Sequence, residues 1–188
     1  YGTDGTIWGG EFFISTDHSY KHVAQFHKFH LPGGDKAIKE PARSAVGLLF
    51  EIYGNDIFEK DVVINKFFSD NEKQILKQMI SNNLNSPQTS SVGRLFDGVA
   101  ALLNLRTKIN YEGQAAMMLE YSVDKNEKKY YPFKISGFDF LTIDWRVMIE
   151  TILEDINSRV QQGIIAAKFH NTLVEIICGV VDKIGINK

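Results

Sequence analysis

Apolar residues toward the end of the chain recur with helical spacing. Trp145, Met148, Ile149, Ile152, Leu153 and Ile156 fall at i, i+3, i+4, i+7, i+8 and i+11 after a capping Asp144, which puts all six on one helix face. Ala166, Phe169, Leu173, Ile176, Ile177, Val180 and Ile184 repeat the pattern before Gly185, a terminating residue. The beginning of the chain has a different rhythm. Aromatic and β-branched residues cluster at about Ile7 to Ser15 and Lys21 to Leu31 around the turn-like Thr16-Asp17-His18-Ser19, as in an antiparallel hairpin.

Between these ends, Glu40-Pro41 opens a helix with proline at its first position, and Val46, Leu48, Leu49, Ile52 and Tyr53 form its stripe before Gly54. Further helices are expected over Asp70 to Asn82, from the cap oxygens of Thr89-Ser90-Ser91 through about Leu105, and from Gly113 to about Val123. Tyr130 to Ile135 reads as a short strand, and the polar, turn-rich segment from Asn82 to Gln88 as an internal hinge. The expected class is mixed α/β (α+β), helix-rich with an N-terminal β-hairpin, and residues 1–188 are expected to form a single lobe.

Composition narrows this picture. With 188 residues the chain can bury a real core, and a formal net charge of -2 leaves no electrostatic footprint for nucleic acid or an anionic membrane. The single cysteine, Cys178, has no partner for an internal disulfide, sits in an apolar helical stretch and reads as an inert buried thiol in a reducing cytosol. No apolar run is expected to span a bilayer, and Tyr1 is not expected to begin a signal peptide.

Several residues could carry chemistry. Gly9-Gly10 and Gly33-Gly34 allow either tight turns or close approach of the backbone to a ligand. Arg94 and Asp97 project at i, i+3 from the side of their helix opposite Val92, Leu95, Phe96, Val99 and Leu103; alone, such a pair reads as a surface ion pair. Glu112 precedes a helix, where the dipole favours it. Glu11, Asp35, Glu40 and Arg43 read equally as caps, solvated charges or members of a cleft. His18, His22, His27 and His30 lack the cysteine or carboxylate that would complete a zinc spacing, so no metal site is expected, and His170 beside an apolar face reads as a partly buried, satisfied histidine.

Five blocks in order resemble one family. Gly5-Thr6-Ile7-Trp8-Gly9-Gly10-Glu11, Leu31-Pro32-Gly33-Gly34, Ser90-Ser91-Val92-Gly93-Arg94-Leu95-Phe96-Asp97, Tyr111-Glu112-Gly113-Gln114-Ala115-Ala116 and Ala166-Ala167-Lys168-Phe169-His170 are similar to the HypF family, the carbamoyltransferases of nickel-iron hydrogenase maturation. Lys168 stands where the family has arginine. The chain opens at Tyr1-Gly2-Thr3-Asp4, inside the family's first Asp-Gly-Thr-Gly-Tyr-Gly loop, so the resemblance implies a central fragment, inactive in isolation.

The resemblance further implies a helix-rich lobe of an actin-like ATPase domain, related to the tRNA threonylcarbamoyltransferases. The family's whole enzyme makes carbamoyl adenylate from carbamoyl phosphate and ATP with Mg, then passes the carbamoyl group to the C-terminal cysteine of its partner HypE. By resemblance Asp97 would contact ribose, Glu112 and Gly113 would border the sugar, and Gly2, Thr3, Gly5, Gly9 and Gly10 would face the phosphates. The family's metal-binding histidines belong to a His-His-x-Ala-His element outside this chain, and the catalytic base has no match here. A carbamoyltransferase acting on a hydroxyl or tRNA, or a non-catalytic interaction module paired with a partner or a second copy through an exposed lobe face, are the other readings.

Overall fold

The computed structural model describes residues 2–60 and 62–185. In chain order the elements are β1 (Glu11–Ser15), β2 (Tyr20–Phe26), β3 (Phe29–His30), α1 (Asp35–Lys39), α2 (Pro41–Tyr53), α3 (Asp70–Ser81), β4 (Gln88–Thr89), α4 (Val92–Leu102), α5 (Gln114–Tyr121), β5 (Lys134–Ser136), β6 (Leu141–Asp144), α6 (Arg146–Asn157) and α7 (Gln162–Gly185). Two short 3-10 turns, Gly54–Phe58 and Val63–Phe67, follow α2. The fold is mixed α/β, and its contacts divide into two compact units: Tyr1–Gly9 with Lys28–Ser122, and Gly10–His27 with Val123–Lys188.

The first unit is built on α2 and α4. Pro41 fits at the start of α2 because its missing N–H would have no helical partner there, and residues 41–49 are all buried, so the helix is core around its whole circumference. The two helices cross closely at Gly98, where a Cβ would come within 2.4 Å of Leu48 Cδ1. On another side of α2, Gly47 lies against β3, where a Cβ would meet the His30 carbonyl oxygen at 1.8 Å. The short antiparallel ladder of β3 and β4 pairs Phe29 with Thr89 and His30 with Gln88. Helix α3 starts at a capping box: Ser69 Oγ accepts from Glu72 N–H, and the Glu72 carboxylate accepts from Ser69 N–H at 2.8 Å.

The second unit is a four-stranded sheet of order β1-β2-β6-β5 with α6 and α7. The β1–β2 hairpin is antiparallel with an irregularity between Phe12 and Phe13; β2 and β6 run parallel, Ala24 opposite Leu141, and β6 pairs antiparallel with β5. Trp145, Met148, Ile149, Ile152 and Leu153 are buried as their spacing predicts, each worth about 1.5–3 kcal/mol of apolar transfer. The Trp145 indole N–H donates to the His27 carbonyl at 2.7 Å, and Asp155 accepts from Tyr131 Oη at 2.7 Å and from Lys168 Nζ at 2.6 Å.

The α7 stripe is narrower than its spacing suggests. Ala166, Phe169, Ile176 and Val180 are buried, but Ile177 is exposed, and so are Val174 and Val181. Cys178 is likewise exposed, which corrects its expected burial: it points away from the face that the sheet and α6 cover. Helix α7 is also long and apolar enough by length and composition to cross a membrane, contrary to the expectation that no segment is; its buried stripe makes it a core helix of its unit.

Candidate active-site groove

Three segments of the first unit are stitched by backbone hydrogen bonds into the walls of a groove of about 920 Å³, roomy enough for a small-molecule ligand. Ile7 N–H donates to the Gln88 carbonyl at 2.9 Å, and the Ile7 carbonyl accepts from Ser90 N–H and from Thr89 Oγ1. Leu31 N–H donates to the Pro87 carbonyl at 2.9 Å and Gly33 N–H to the Asn85 carbonyl at 2.8 Å. The Pro-Gly-Gly turn needs its glycines, because φ is 101° at Gly33 and 53° at Gly34. Asn83 and Asn85 on the facing segment also adopt left-handed φ, which asparagine tolerates best among residues with a side chain. The segment from Asn82 to Gln88 is thus pinned to its neighbours as a wall of the groove, which corrects the expectation of a hinge; the boundaries between the units fall at Gly9/Gly10, His27/Lys28 and Ser122/Val123.

Two carboxylates shape the electrostatics of this unit. Asp4 Oδ1 accepts from Thr6 N–H at 3.0 Å, Thr6 Oγ1 at 2.8 Å and Trp8 Nε1 at 2.9 Å, while Oδ2 pairs with Lys28 Nζ. These donors, Lys28 foremost, hold its pKa far below the usual carboxylate range. Asp97 has the opposite surroundings. It is 1% exposed, and its Oδ2 stands 2.9 Å from Arg94 Nη1 without an aligned hydrogen bond between them. Burial pushes its pKa up to about 6, against the pull of Arg94 and with a further push from Glu112. An ion pair on one helix face therefore exists as the sequence suggests, but inside the protein and not on its surface.

The expected site residues fall in several places. Glu112 and Arg94 line the groove, with Thr6, Ile7, Ser91 and the Pro-Gly-Gly turn. Asp97 sits behind Arg94, outside the lining. Gly113, at φ 78°, forms the N-terminal cap of α5 and accepts from Met117 N–H at 2.9 Å. Gly2 packs on the Trp8 ring and donates to the Thr6 carbonyl at 2.8 Å; Gly5 donates back to the Gly2 carbonyl, and Thr3 is exposed on the turn between them. The Gly9 carbonyl accepts from Val92 N–H, the first residue of α4. Gly10 and Glu11 belong to the other unit, where Gly10 N–H donates to the Glu11 carboxylate at 2.9 Å.

Of the other cleft candidates, Asp35 lines the groove, while Arg43 lies beneath the turn, donating to the Pro32 carbonyl and pairing with Glu40. The histidines do not converge: His27 and His30 fall in different units, His22 is packed against the rings of Phe13 and Phe140, and His170 bonds the Ala166 carbonyl. Among the described residues no group of three or more His, Cys, Asp or Glu stands ready to hold a metal. Sequence reasoning missed Asp4 as the organiser of the N-terminal loop, and Asn83 and Asn85 as wall residues. Their signals were the Asp-Gly-Thr turn and paired asparagines in a polar segment.

A family model described as carbamoyltransferase, Kae1-like domain, second subdomain, matches residues 1–188. The carbamoyltransferase HypF of Synechocystis sp. is 38% identical over 100% of this chain and 26% of its own length. That of Rhizobium leguminosarum bv. viciae is 33% identical over 93% of this chain and 22% of its own length. A crystal structure of full-length HypF in the phosphate- and nucleotide-bound form superposes with a TM-score of 0.90 at 33% identity, covering 100% of this chain and 24% of that one. HypF of T.kodakarensis gives 0.69 at 28% identity, over 89% and 23%. The chain therefore spans about a quarter of the length of these relatives.

Proposed function

The chain belongs to the Kae1-like carbamoyltransferase domain family found in HypF proteins, and from that premise we propose that its groove takes a nucleotide for carbamoyl transfer. The reaction is the hydrolysis of carbamoyl phosphate by water to carbamate and phosphate, attack of carbamate on ATP to give carbamoyl adenylate and pyrophosphate, and transfer of the carbamoyl group to the C-terminal cysteine thiol of a HypE-type partner in the cytoplasm, with AMP leaving and the thiol proton released. The setting is an actin-like ATPase domain, of which this chain supplies one part.

The observation that carries the reading is the joining, in one groove, of Arg94 and Glu112 with the Pro-Gly-Gly turn, in a chain so similar to a HypF solved with phosphate and nucleotide. The residues fit such a ligand. Glu112 is exposed on the wall and can accept hydrogen bonds from sugar hydroxyls, while Arg94 offers a guanidinium to an anionic group. Arg94 stands between the groove and Asp97, 2.9 Å from its Oδ2, so the ribose contact expected of Asp97 requires Arg94 to move aside when the ligand enters. Thr6 and the buried Ser44, whose Oγ has no partner, belong to the same unit; only Thr6 reaches the groove.

The test is pyrophosphate release from MgATP and carbamoyl phosphate by the protein that carries this chain, with a peptide ending in cysteine as acceptor. Arg94→Ala and Glu112→Ala are expected to lower turnover at limiting ATP by about tenfold or more, as loss of a charged ligand contact does. Unchanged ATP dependence in both variants would remove the groove from the reaction.

A further inference from the structure

His30, Glu51 and Asn83 form a chain of polar contacts from the partly exposed end of α2 to the groove wall. His30 Nδ1 lies 2.7 Å from Glu51 Oε1, and His30 Nε2 lies 3.2 Å from Asn83 Oδ1. Strand β3 presents the imidazole, α2 presents Glu51, and Asn83 lines the groove at the head of the pinned segment. The Phe50 ring meets the imidazole edge to face at 6.0 Å, and the strand partner Gln88 is neutral, so Glu51 is the charged group that acts on His30.

Both ring nitrogens face acceptor oxygens, and only an imidazole carrying two N–H groups satisfies both. Nδ1–H then donates to Glu51 and Nε2–H to Asn83 Oδ1. With its oxygen held in this way, Asn83 has its NH2 left as the polar group it offers outward. We propose that His30 and Glu51 are positioning residues of the groove, acting through Asn83: the charged imidazole fixes the amide so that the wall presents a hydrogen-bond donor to an anionic ligand. The inference rests on the nucleotide reading of the groove for the identity of that ligand.

Loss of the Nε2 proton reverses the polarity of the wall. The bare nitrogen becomes an acceptor facing another acceptor, and the amide relieves the clash by turning its NH2 to His30 and its oxygen outward. A carbonyl oxygen repels phosphate oxygens where the NH2 attracted them. The sign follows from the Glu51 contact, which raises the His30 pKa above its ordinary value: the donor form holds below that raised pKa and gives way above it.

Two measurements test this on the protein as it stands. In side-chain NMR without ligand, the Asn83 NH2 resonances should shift with the same midpoint as the His30 ring nitrogens, and Glu51→Gln should move both midpoints down together; an Asn83 amide that ignores the His30 titration overturns the relay. With ATP as probe, wild-type affinity should fall about threefold to tenfold between about pH 6 and 9, the worth of one charge-assisted hydrogen bond, and His30→Gln, which cannot titrate, should flatten that slope. Asn83→Ala removes an exposed side chain and should flatten it equally, which keeps the test readable if His30→Gln fails to fold. Equal slopes in wild type and both variants overturn the link to the groove. Absence of ATP binding at every pH defeats the nucleotide reading instead, and the ligand-free titration still decides the relay.

Discussion

Asp4 and Asp97 lie in the same unit and are both part of the groove's surroundings, yet their protonation is driven in opposite directions. Asp4 stands on an exposed turn and gathers four donor contacts; its charge is stabilised, and the loop from Gly2 to Gly9 is shaped around it. Asp97 stands between packed helices with one guanidinium that is close but poorly aligned, and its charge is disfavoured. Charge in a protein depends less on the residue than on the number of donors that reach it after burial has removed water. One carboxylate is finished; the other is short of hydrogen bonds, as a group awaiting a ligand or a rearrangement would be.

The severest way to break this contrast is to move the helix that buries Asp97. Gly98→Val would drive side-chain atoms into Leu48 where α4 crosses α2, and is expected to cost about 3 kcal/mol in denaturant unfolding, with the Asp97 pKa falling toward its ordinary value as water enters. A milder change sharpens it. Asp97→Asn should raise stability at about pH 7.5 by roughly 1–3 kcal/mol in the ligand-free protein, the size implied by a pKa raised to about 6. The sign is that of a raised carboxylate pKa: the stability it contributes is full below about pH 4, where it is protonated in both states, and is lost as pH rises through about 6. The gain from Asp97→Asn should therefore vanish near pH 4, and thermal melts across that window check it.

The smallest effect belongs to Asp4. Asp4→Asn removes a carboxylate whose depressed pKa stabilises the fold above about pH 4, and solvent screening holds the loss to about 1 kcal/mol or less. Here the wild-type advantage should shrink as pH falls below 4, the reverse of the Asp97 profile. Hydrogen exchange at Thr6 N–H should quicken in the same variant, because that bond ends on Asp4. Parallel rather than opposed pH profiles for the two variants would end the comparison.

The parts of the fold set by local pattern were legible in the chain. The hairpin turn at Thr16 to Ser19, the start of α2 at Pro41, the cap at Ser91 and the buried face of α6 all follow from rules that act within a few residues. What the pattern left out depends on distant partners. Strand β6 is four residues long and ends in Asp144, so its hydrophobic alternation is too brief to announce a strand that pairs with β2 and β5. Burial of Asp97 was hidden for a related reason: an i, i+3 ion pair looks the same on a helix whether solvent or another helix lies over it. The same ambiguity, in reverse, misplaced Cys178, whose apolar neighbours Ile177 and Val181 are themselves exposed. Of the site, Glu112 and the Pro-Gly-Gly turn were found by motif; Asp4 and Asn83 act through hydrogen-bond geometry, which no spacing reveals.

The parallel pairing of β2 with β6 has a consequence for how the chain comes into being. During synthesis the hairpin emerges early, but the strand that covers the open side of β2 arrives only after the whole segment from Lys28 to Ser122 has left the ribosome. Until then β2 carries unpaired backbone groups along one side, a template for pairing with a neighbouring chain. If the intervening segment collapses first, the loop that β6 must close is effectively shortened and the wait is brief. Slow translation or a weakened α2–α4 crossing would prolong it, and the cost would show as aggregation of nascent chains well before any loss of activity in the mature protein.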